Sequence, residues 1–221
     1  MSEKAFRSPF AALVWKEWRE SWWLLVLATI GPAAWTIAPR VWPDPGRLSF
    51  ADILAALIVW GVTLSLGAVL FASERARGTE TFQDERPVGR GAIWNAKLLM
   101  PILALASGAV LLIASCLLWP PEMWRKTGPI EPLIMIVVWF LSFNAAALCS
   151  VLLDRPLTAG AAAAVLSISA VLGQSLLIER LIGWNGPSEN WCWPVYLSLL
   201  VIEAIGMLWL SRVAYVRWPH D

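Results

Sequence analysis

Histidine occurs once in this 221-residue chain, as His220, cysteine three times, and charged residues make up only 15% of it. These scarcities exclude several classes of function. A Ser/His hydrolase or a zinc protease needs imidazole in a structured site, and the single imidazole stands next to last in the sequence. A membrane aspartyl protease needs paired Asp within its spans, and the apolar stretches hold none. Cys116, Cys149 and Cys192 lack metal-ligand spacing and leave one thiol over however they pair. No Gly-rich loop followed by Lys and Ser or Thr is present, so the chain has no phosphate cradle of its own for ATP. Acidic and basic residues nearly cancel to a formal charge of +1, without the clustered basic face that nucleic acid requires. A soluble globular domain is also excluded, because such domains carry about 25% charged residues.

What is abundant is hydrophobic sequence, at 58%, with 16 Trp. Charge-free windows run from Ser21 to Pro39, Ile53 to Ser73, Leu98 to Pro121, Pro132 to Leu153 and Pro156 to Ile178, and a sixth from Asn190 to Ser211 is broken only by Glu203. A bilayer core takes about 20 apolar helical residues to cross, because lipid offers no partner to open backbone groups. The expected fold is therefore all-α, a single transmembrane domain over 1–221 with spans near 22–39, 53–73, 97–119, 132–153, 157–178 and 194–212. About 20 residues of mixed charge precede the first window and no small-x-small cleavage site follows it, so that window reads as a retained anchor rather than a leader.

Orientation follows from charge. Of the 17 Lys and Arg, twelve (Lys4, Arg7, Lys16, Arg19, Arg75, Arg77, Arg86, Arg90, Lys97, Arg155, Arg212 and Arg217) fall on one side of such a bundle. The other five (Arg40, Arg47, Arg125, Lys126 and Arg180) fall on the opposite side. The positive-inside rule then places both termini in the cytoplasm. Trp15, Trp18, Trp22, Trp23, Trp94 and Trp218 would mark the inner interface, and Trp42, Trp119, Trp124, Trp184, Trp191 and Trp193 the outer one, where amphipathic rings prefer to sit. Cys116 and Cys192 share the outer side, which leaves a disulfide between them open.

Before the first span, Phe10, Leu13, Val14, Trp18 and Trp22 recur at helical spacing, with Arg7, Lys16, Arg19 and Glu20 elsewhere on the wheel. This pattern predicts an amphipathic helix over about 6–20 lying along the inner leaflet; the alternative is a cytoplasmic extension of the first span. Gly31-Pro32 is expected to bend that span. Asp154-Arg155-Pro156 forces a tight inside hairpin, and the outer connections are Pro- and Gly-rich turns too short for a receptor domain.

The longest polar segment, Ser73 to Lys97, is the most informative. Gly78 breaks the helix leaving the membrane, Thr79 can cap a short helix through Glu80, Phe82 and Asp84, and Pro87 ends it. Gly89 to Gly91 permits a turn before Ala92, Ile93, Trp94 and Lys97 start the next helix. A short polar helix held parallel to the membrane, with Phe82 as a knob, is a reasonable docking surface for a cytoplasmic partner.

The pattern Glu74-x-x-x-Gly78-Thr79, Phe82, Pro87-Val88-x-Arg90, Ile93, Lys97 after a second span, behind a first helix ending in Lys16-Glu17-Trp18-Arg19-Glu20, resembles the type-2 ATP-binding-cassette (ABC) exporter permeases. The resemblance covers the chain in layout and about 25 residues in motif. It implies an elbow helix in the membrane surface and a coupling helix, within 74–96, that inserts into a groove on a separate ATPase subunit. On that reading Glu74, Gly78, Thr79, Glu80, Phe82, Pro87 and Arg90 are the coupling residues. The run Gln83-Asp84-Glu85-Arg86 departs from the more apolar stretch usual there and makes the docking more electrostatic. The chain itself would then bind no cofactor and catalyse nothing, ATP and magnesium being held by the partner. A second permease unit, alike or related, would pair through the second and fifth spans, in the inner membrane of a prokaryote.

Glu203 is the one ionisable residue placed well inside a window, where a carboxylate is costly unless it faces the bundle interior, pairs or becomes protonated. At about 1.5 Å per helical residue it lies about 14 Å below Pro194, and Asn144 lies about 18 Å below Pro132. A hydrogen bond between them is therefore feasible, as polar glue, as part of a substrate path or as a proton-carrying site. Gln174, nearer the outer face, reads as glue or interface. Gly61/Ser65, Thr63/Gly67, Gly160/Ala164 and Ser169/Gly173 are small pairs at spacing four that permit close helix approach, chiefly within the chain.

Three functions compete: a permease driven by a separate ATPase, an ion- or proton-coupled carrier or channel using Glu203 and Asn144, and an intramembrane enzyme acting through the outer acids Asp44, Asp52, Glu131 and Glu179. No motif links those acids, and no inverted repeat supports a carrier. The substrate is not legible. The orientation has a direct test: Cys192 should react with a membrane-impermeant maleimide added outside intact cells, whereas labelling only after lysis would reverse the topology.

Overall fold

The computed structural model describes residues 9–41, 50–76, 89–118, 130–182 and 192–217. They form six helices, with no strand among the described residues: α1 (Pro9–Val41), α2 (Phe50–Ala76), α3 (Arg90–Leu118), α4 (Ile130–Leu152), α5 (Pro156–Ile182) and α6 (Cys192–Arg217). Five of them, α2 to α6, are long and apolar enough to cross a membrane. That is the make-up of a multi-pass membrane protein.

The start of the chain differs from expectation. α1 runs unbroken from Pro9 to Val41, so the described part of the expected surface helix is continuous with the first apolar window. The sequence gives the physical reason, since neither Gly nor Pro occurs between Pro9 and Gly31 to interrupt the helix. Leu13, Leu24, Leu25 and Ala28 are buried against the other helices, while Phe10, Trp18 and Trp22 of the same apolar stripe are exposed on the outside of the bundle. Glu17, one helical turn after Leu13, lies on the buried side.

Local chemistry sets several helix ends. The Gly89 carbonyl accepts the amides of Ala92 and Ile93, opening α3. At the sharp turn between α4 and α5, Leu153 donates to the Cys149 carbonyl and Ala159 donates to the Arg155 carbonyl. Pro156 takes the first helical position of α5, where its missing N–H removes no bond.

α4 is the central element and touches α2, α5 and α6. Its Leu141, Phe143, Ala145, Ala146 and Ala147 are fully buried. The alanine run lets α2 come close: a Cβ on Gly67 would stand 2.6 Å from both the Ala146 Cβ and the Phe143 carbonyl oxygen. A second close crossing joins α1 and α3, where a Cβ on Gly108 would stand 2.5 Å from the Ala28 carbonyl oxygen. Pro32 has no N–H to give that carbonyl, so the helix-freed oxygen is turned to account as a contact with the glycine backbone. Of the other small residues, a Cβ on Gly160 would stand 3.7 Å from the Ala68 Cβ, an ordinary contact, while Gly61 and Gly173 face open space. α2 and α5 pack on each other through Ala68, Ala72, Ala159 and Ala163.

Several hydroxyl side chains are satisfied within their own helices. Thr29, Thr63, Ser73, Ser167 and Ser175 each donate to the carbonyl four residues earlier in their own helix. The Trp60 indole donates across to Ser142 at 2.9 Å, tying α2 to α4. Trp94, expected at the lipid interface, is instead buried among the helices, because α1, α3 and α6 converge on it and the Arg212 guanidinium lies 5.8 Å over its ring. α5 and α6 leave most of their apolar surface outward, as Leu157, Val165, Leu172, Ile202 and Ile205 show.

The two crossings give a paired test. Gly67→Ala and Gly108→Ala should each lower stability by about 1–3 kcal/mol, the usual cost of forcing a methyl group into a filled gap. Gly61→Ala and Gly173→Ala should be neutral or slightly stabilising, as helix propensity favours Ala by up to about 1 kcal/mol. Thermal unfolding in detergent, followed by size-exclusion chromatography, reads the difference; equal behaviour of all four would refute the close crossings.

Candidate functional site

The ends of α2 and α3 flank the long polar connection, and both carry a charge that points inward. Glu74 lies near the end of α2 and Lys97 two turns into α3. Lys97 is only 2% exposed, which makes it the most deeply buried charged side chain among the described residues. An ammonium has three protons to give. Three acceptors meet them: Glu74 Oε2 at 2.7 Å, Glu17 Oε1 at 3.2 Å and the Leu70 carbonyl at 2.9 Å. The Phe71 ring adds a cation–π contact at 5.5 Å from its centroid.

Glu74 is shared. Its other oxygen, Oε1, accepts a hydrogen bond from Lys16 at 2.7 Å. Two carboxylates and two ammonium groups, drawn from α1, α2 and α3, thus form one balanced cluster. Its members differ in burial, for Glu17 and Glu74 are buried and the Lys16 side chain is 37% exposed.

Protonation follows the surroundings. Burial pushes the Glu17 carboxyl above the usual carboxylate range, and the nearby Lys97 only partly opposes it. The folded protein therefore holds this proton more tightly than the unfolded chain, and that contribution to stability shrinks as pH rises through the native value. Burial alone would lower Lys16, but the hydrogen bond and charge of Glu74, aided by Glu17 and Glu20, raise it instead. Its contribution is present below the ordinary lysine value and is lost as pH climbs through the raised one.

Aromatic contacts bring α6 to the same end of the bundle. Tyr215 stacks at a tilt on Phe71, with ring centroids 4.7 Å apart, and Arg212 covers Trp94. Both contacts belong to the cluster of apolar residues that includes Leu70, Ile93 and Leu98.

The sequence-derived site residues divide sharply. Glu74 belongs to the charged cluster, and both of its oxygens are engaged there. Arg90 is the first residue of α3 and is partly buried. Gly78, Thr79, Glu80, Phe82 and Pro87 lie outside the described residues, as does the side chain of Cys192. Asn144 is buried in α4, but its amide donates to the Ala204 carbonyl at 2.9 Å rather than to Glu203. Asn144 thus ties α4 to α6 through a backbone carbonyl, and the expected bond between Asn144 and Glu203 is not formed. Glu203 Oε2 and Gln174 Oε1 are buried without a hydrogen-bond partner. Glu203 as a whole is only half-buried, so the charge most enclosed by protein is Lys97 and not Glu203.

Sequence reasoning missed the joint role of Lys16, Glu17 and Lys97. The available signal was the one-turn spacing of Leu13 and Glu17, together with opposite charges at the two membrane exits of one connection. Among the described residues no group of three or more His, Cys, Asp or Glu could hold a metal ion.

Removing Lys97 takes the cation from Glu17 and Glu74 and the donor from the Leu70 carbonyl, so Lys97→Met should destabilise by about 3–5 kcal/mol. Lys16→Met should cost less than about 1 kcal/mol, because Lys16 is part-exposed and Glu74 keeps Lys97. Thermal transitions of the two variants check this ranking, and equal losses would refute the hierarchy. Comparison with known proteins adds no relative, as no family model matches the sequence and neither a curated protein nor a solved structure does.

Proposed function

We propose that the chain is the membrane-spanning permease subunit of an ATP-binding-cassette exporter, driven by a separate cytoplasmic ATPase and paired with a second permease unit. The observation that carries the reading is the charged cluster that ties both ends of the 77–88 connection to α1. A solvated loop gains nothing from a buried ammonium at its root. A segment that must transmit force does, because its two anchoring helices have to move together.

On this reading all six helices span the membrane, with both termini in the cytoplasm of a prokaryotic cell. The first turns of α1 serve as the elbow, and residues 74–96 carry the coupling helix. Glu80 and Phe82 would contact the ATPase directly, with Gly78, Thr79, Pro87 and Arg90 shaping the segment. Glu74 would act from behind, since its carboxylate is committed to Lys16 and Lys97. Closure of the ATP-bound motor dimer would then be passed into the bundle and switch the path between two permeases from inward- to outward-facing.

One observation favours a second reading, an ion- or proton-coupled carrier. Glu203 Oε2 is buried within an apolar helix without a hydrogen-bond partner, a costly arrangement that marks functional carboxylates in membranes.

Mild extraction of the tagged chain from its native membrane, followed by mass spectrometry with and without ATP and magnesium, separates the two. The permease reading expects a stoichiometric P-loop ATPase that is lost from Glu80→Ala and Phe82→Ala variants still inserted in the membrane. A preparation free of ATPase, from membranes that retain other known complexes, would overturn it. The carrier reading instead expects those variants to be silent and Glu203→Gln to abolish transport.

A further inference from the structure

The charged cluster joins three helices by two ties of unequal kind. Lys97 links α3 to Glu74 of α2 and to Glu17 of α1 in a buried contact. Lys16 links α1 to Glu74 again, with more than a third of its side chain exposed. The connection 77–88 begins three residues after Glu74 and rejoins α3 seven residues before Lys97. Any displacement of that connection must therefore pass through Glu74 and Lys97 before it reaches the rest of either helix.

The buried ammonium makes this junction hard to open. Separating Lys97 from Glu17 would take from that buried carboxylate the cation that faces it, and separating it from Glu74 would break the 2.7 Å contact between α2 and α3; both are unfavourable away from water. The geometry therefore resists rotation or sliding of α2 against α3 at this level, and through Glu17 it extends the same restraint to α1. α1 and α3 also lock at a second level, where Gly108 abuts the Ala28 carbonyl. Two points of attachment along one pair of helices fix orientation as well as distance.

We infer that Lys16, Glu17, Glu74 and Lys97 are positioning residues that make α1 and the two ends of the 77–88 connection one mechanical unit, so that a push on the connection moves α1 with it. This rests on the proposed reading of the connection as the ATPase docking segment. It assigns α1 the role of the follower: the helix that carries the exposed Trp15, Trp18, Trp22 and Trp23 is driven by the same contact that drives α2 and α3. Lys16, being part-exposed, adds a tie that can loosen without burying an unpaired charge.

The test uses the charge-balanced pair Glu17→Gln with Lys97→Met, which removes the buried tie while Glu74 keeps Lys16. Lys16→Met serves as the milder second variant. Spin labels placed through cysteines at Glu20 and Gly89, on full-length protein free of native cysteines and in lipid nanodiscs, report the α1–α3 separation by pulsed electron paramagnetic resonance. The unaltered cluster should give one narrow distance distribution, and the double variant one at least about twofold wider in protein that elutes as a single folded species. The ATPase that co-purifies with the chain should remain bound to the double variant, with its turnover stimulated several-fold less by the permease.

A narrow distribution in folded double variant would overturn the mechanical unit. A widened distribution with stimulation unchanged would overturn its role in coupling, since a purely structural cluster alters one readout and not the other. If no ATPase accompanies even the unaltered chain, the permease reading fails, and the distance measurement still decides whether α1 and the connection are clamped together.

Discussion

The constraint on which this end of the molecule depends is the burial of one ammonium group. Lys97 is withdrawn from water on a helix whose other buried residues are apolar apart from its indole, and such a group is tolerated only if each of its protons finds an acceptor. The acceptors come from α1 and α2, so the requirement of a single side chain dictates the placement of three helices. Replacing such a pair with apolar residues can leave stability unchanged or improved. The sense of keeping it lies in what it specifies: one relative arrangement of α1, α2 and α3, with alternatives excluded by the cost of an unpaired charge.

Elsewhere, packing is governed by the lack of any hydrophobic drive between helices in lipid. Close contact and internal hydrogen bonding must hold the bundle instead. Both are visible. Gly67 against Phe143 and Ala146, and Gly108 against Ala28, bring backbones to distances that no larger residue allows. Hydroxyl groups fold back onto their own carbonyls, and the cross-helix bonds of Trp60 to Ser142 and of Asn144 to Ala204 join α4 to α2 and α6. The result is graded. α4 is enclosed on several sides, whereas α5 and α6 turn much of their surface outward.

Composition alone made the helices legible, because charge-free windows of bilayer length have no other comfortable environment. The tight α4–α5 turn was legible too, since Pro156 can open a helix but not continue one. Partnership between helices was not. The period of hydrophobic residues in α1 marked Phe10, Leu13, Val14, Trp18 and Trp22 as one apolar stripe meeting the membrane, but in a membrane apolar side chains are equally content against lipid or protein. The hydrophobic pattern therefore does not say which side faces protein, and the actual inward stripe includes a carboxylate, Glu17. Depth alone likewise made Asn144 and Glu203 equal candidates for a bond, while helix rotation turned the neighbouring Ala204 carbonyl toward the amide.

The same argument explains why the motif around the 77–88 connection divides as it does. Residues that a partner protein would touch must be presented on the surface and owe nothing to the bundle. Residues that hold the presenting segment must be paired within it. Glu74 and Lys97 fall at opposite ends of one motif in the sequence but meet at 2.7 Å in space, and neither has a charge left to offer a partner through that contact. A motif read only as a docking surface would assign both to the interface. Their geometry instead pairs them with each other inside the bundle, and α1 contributes Lys16 and Glu17 to the same cluster.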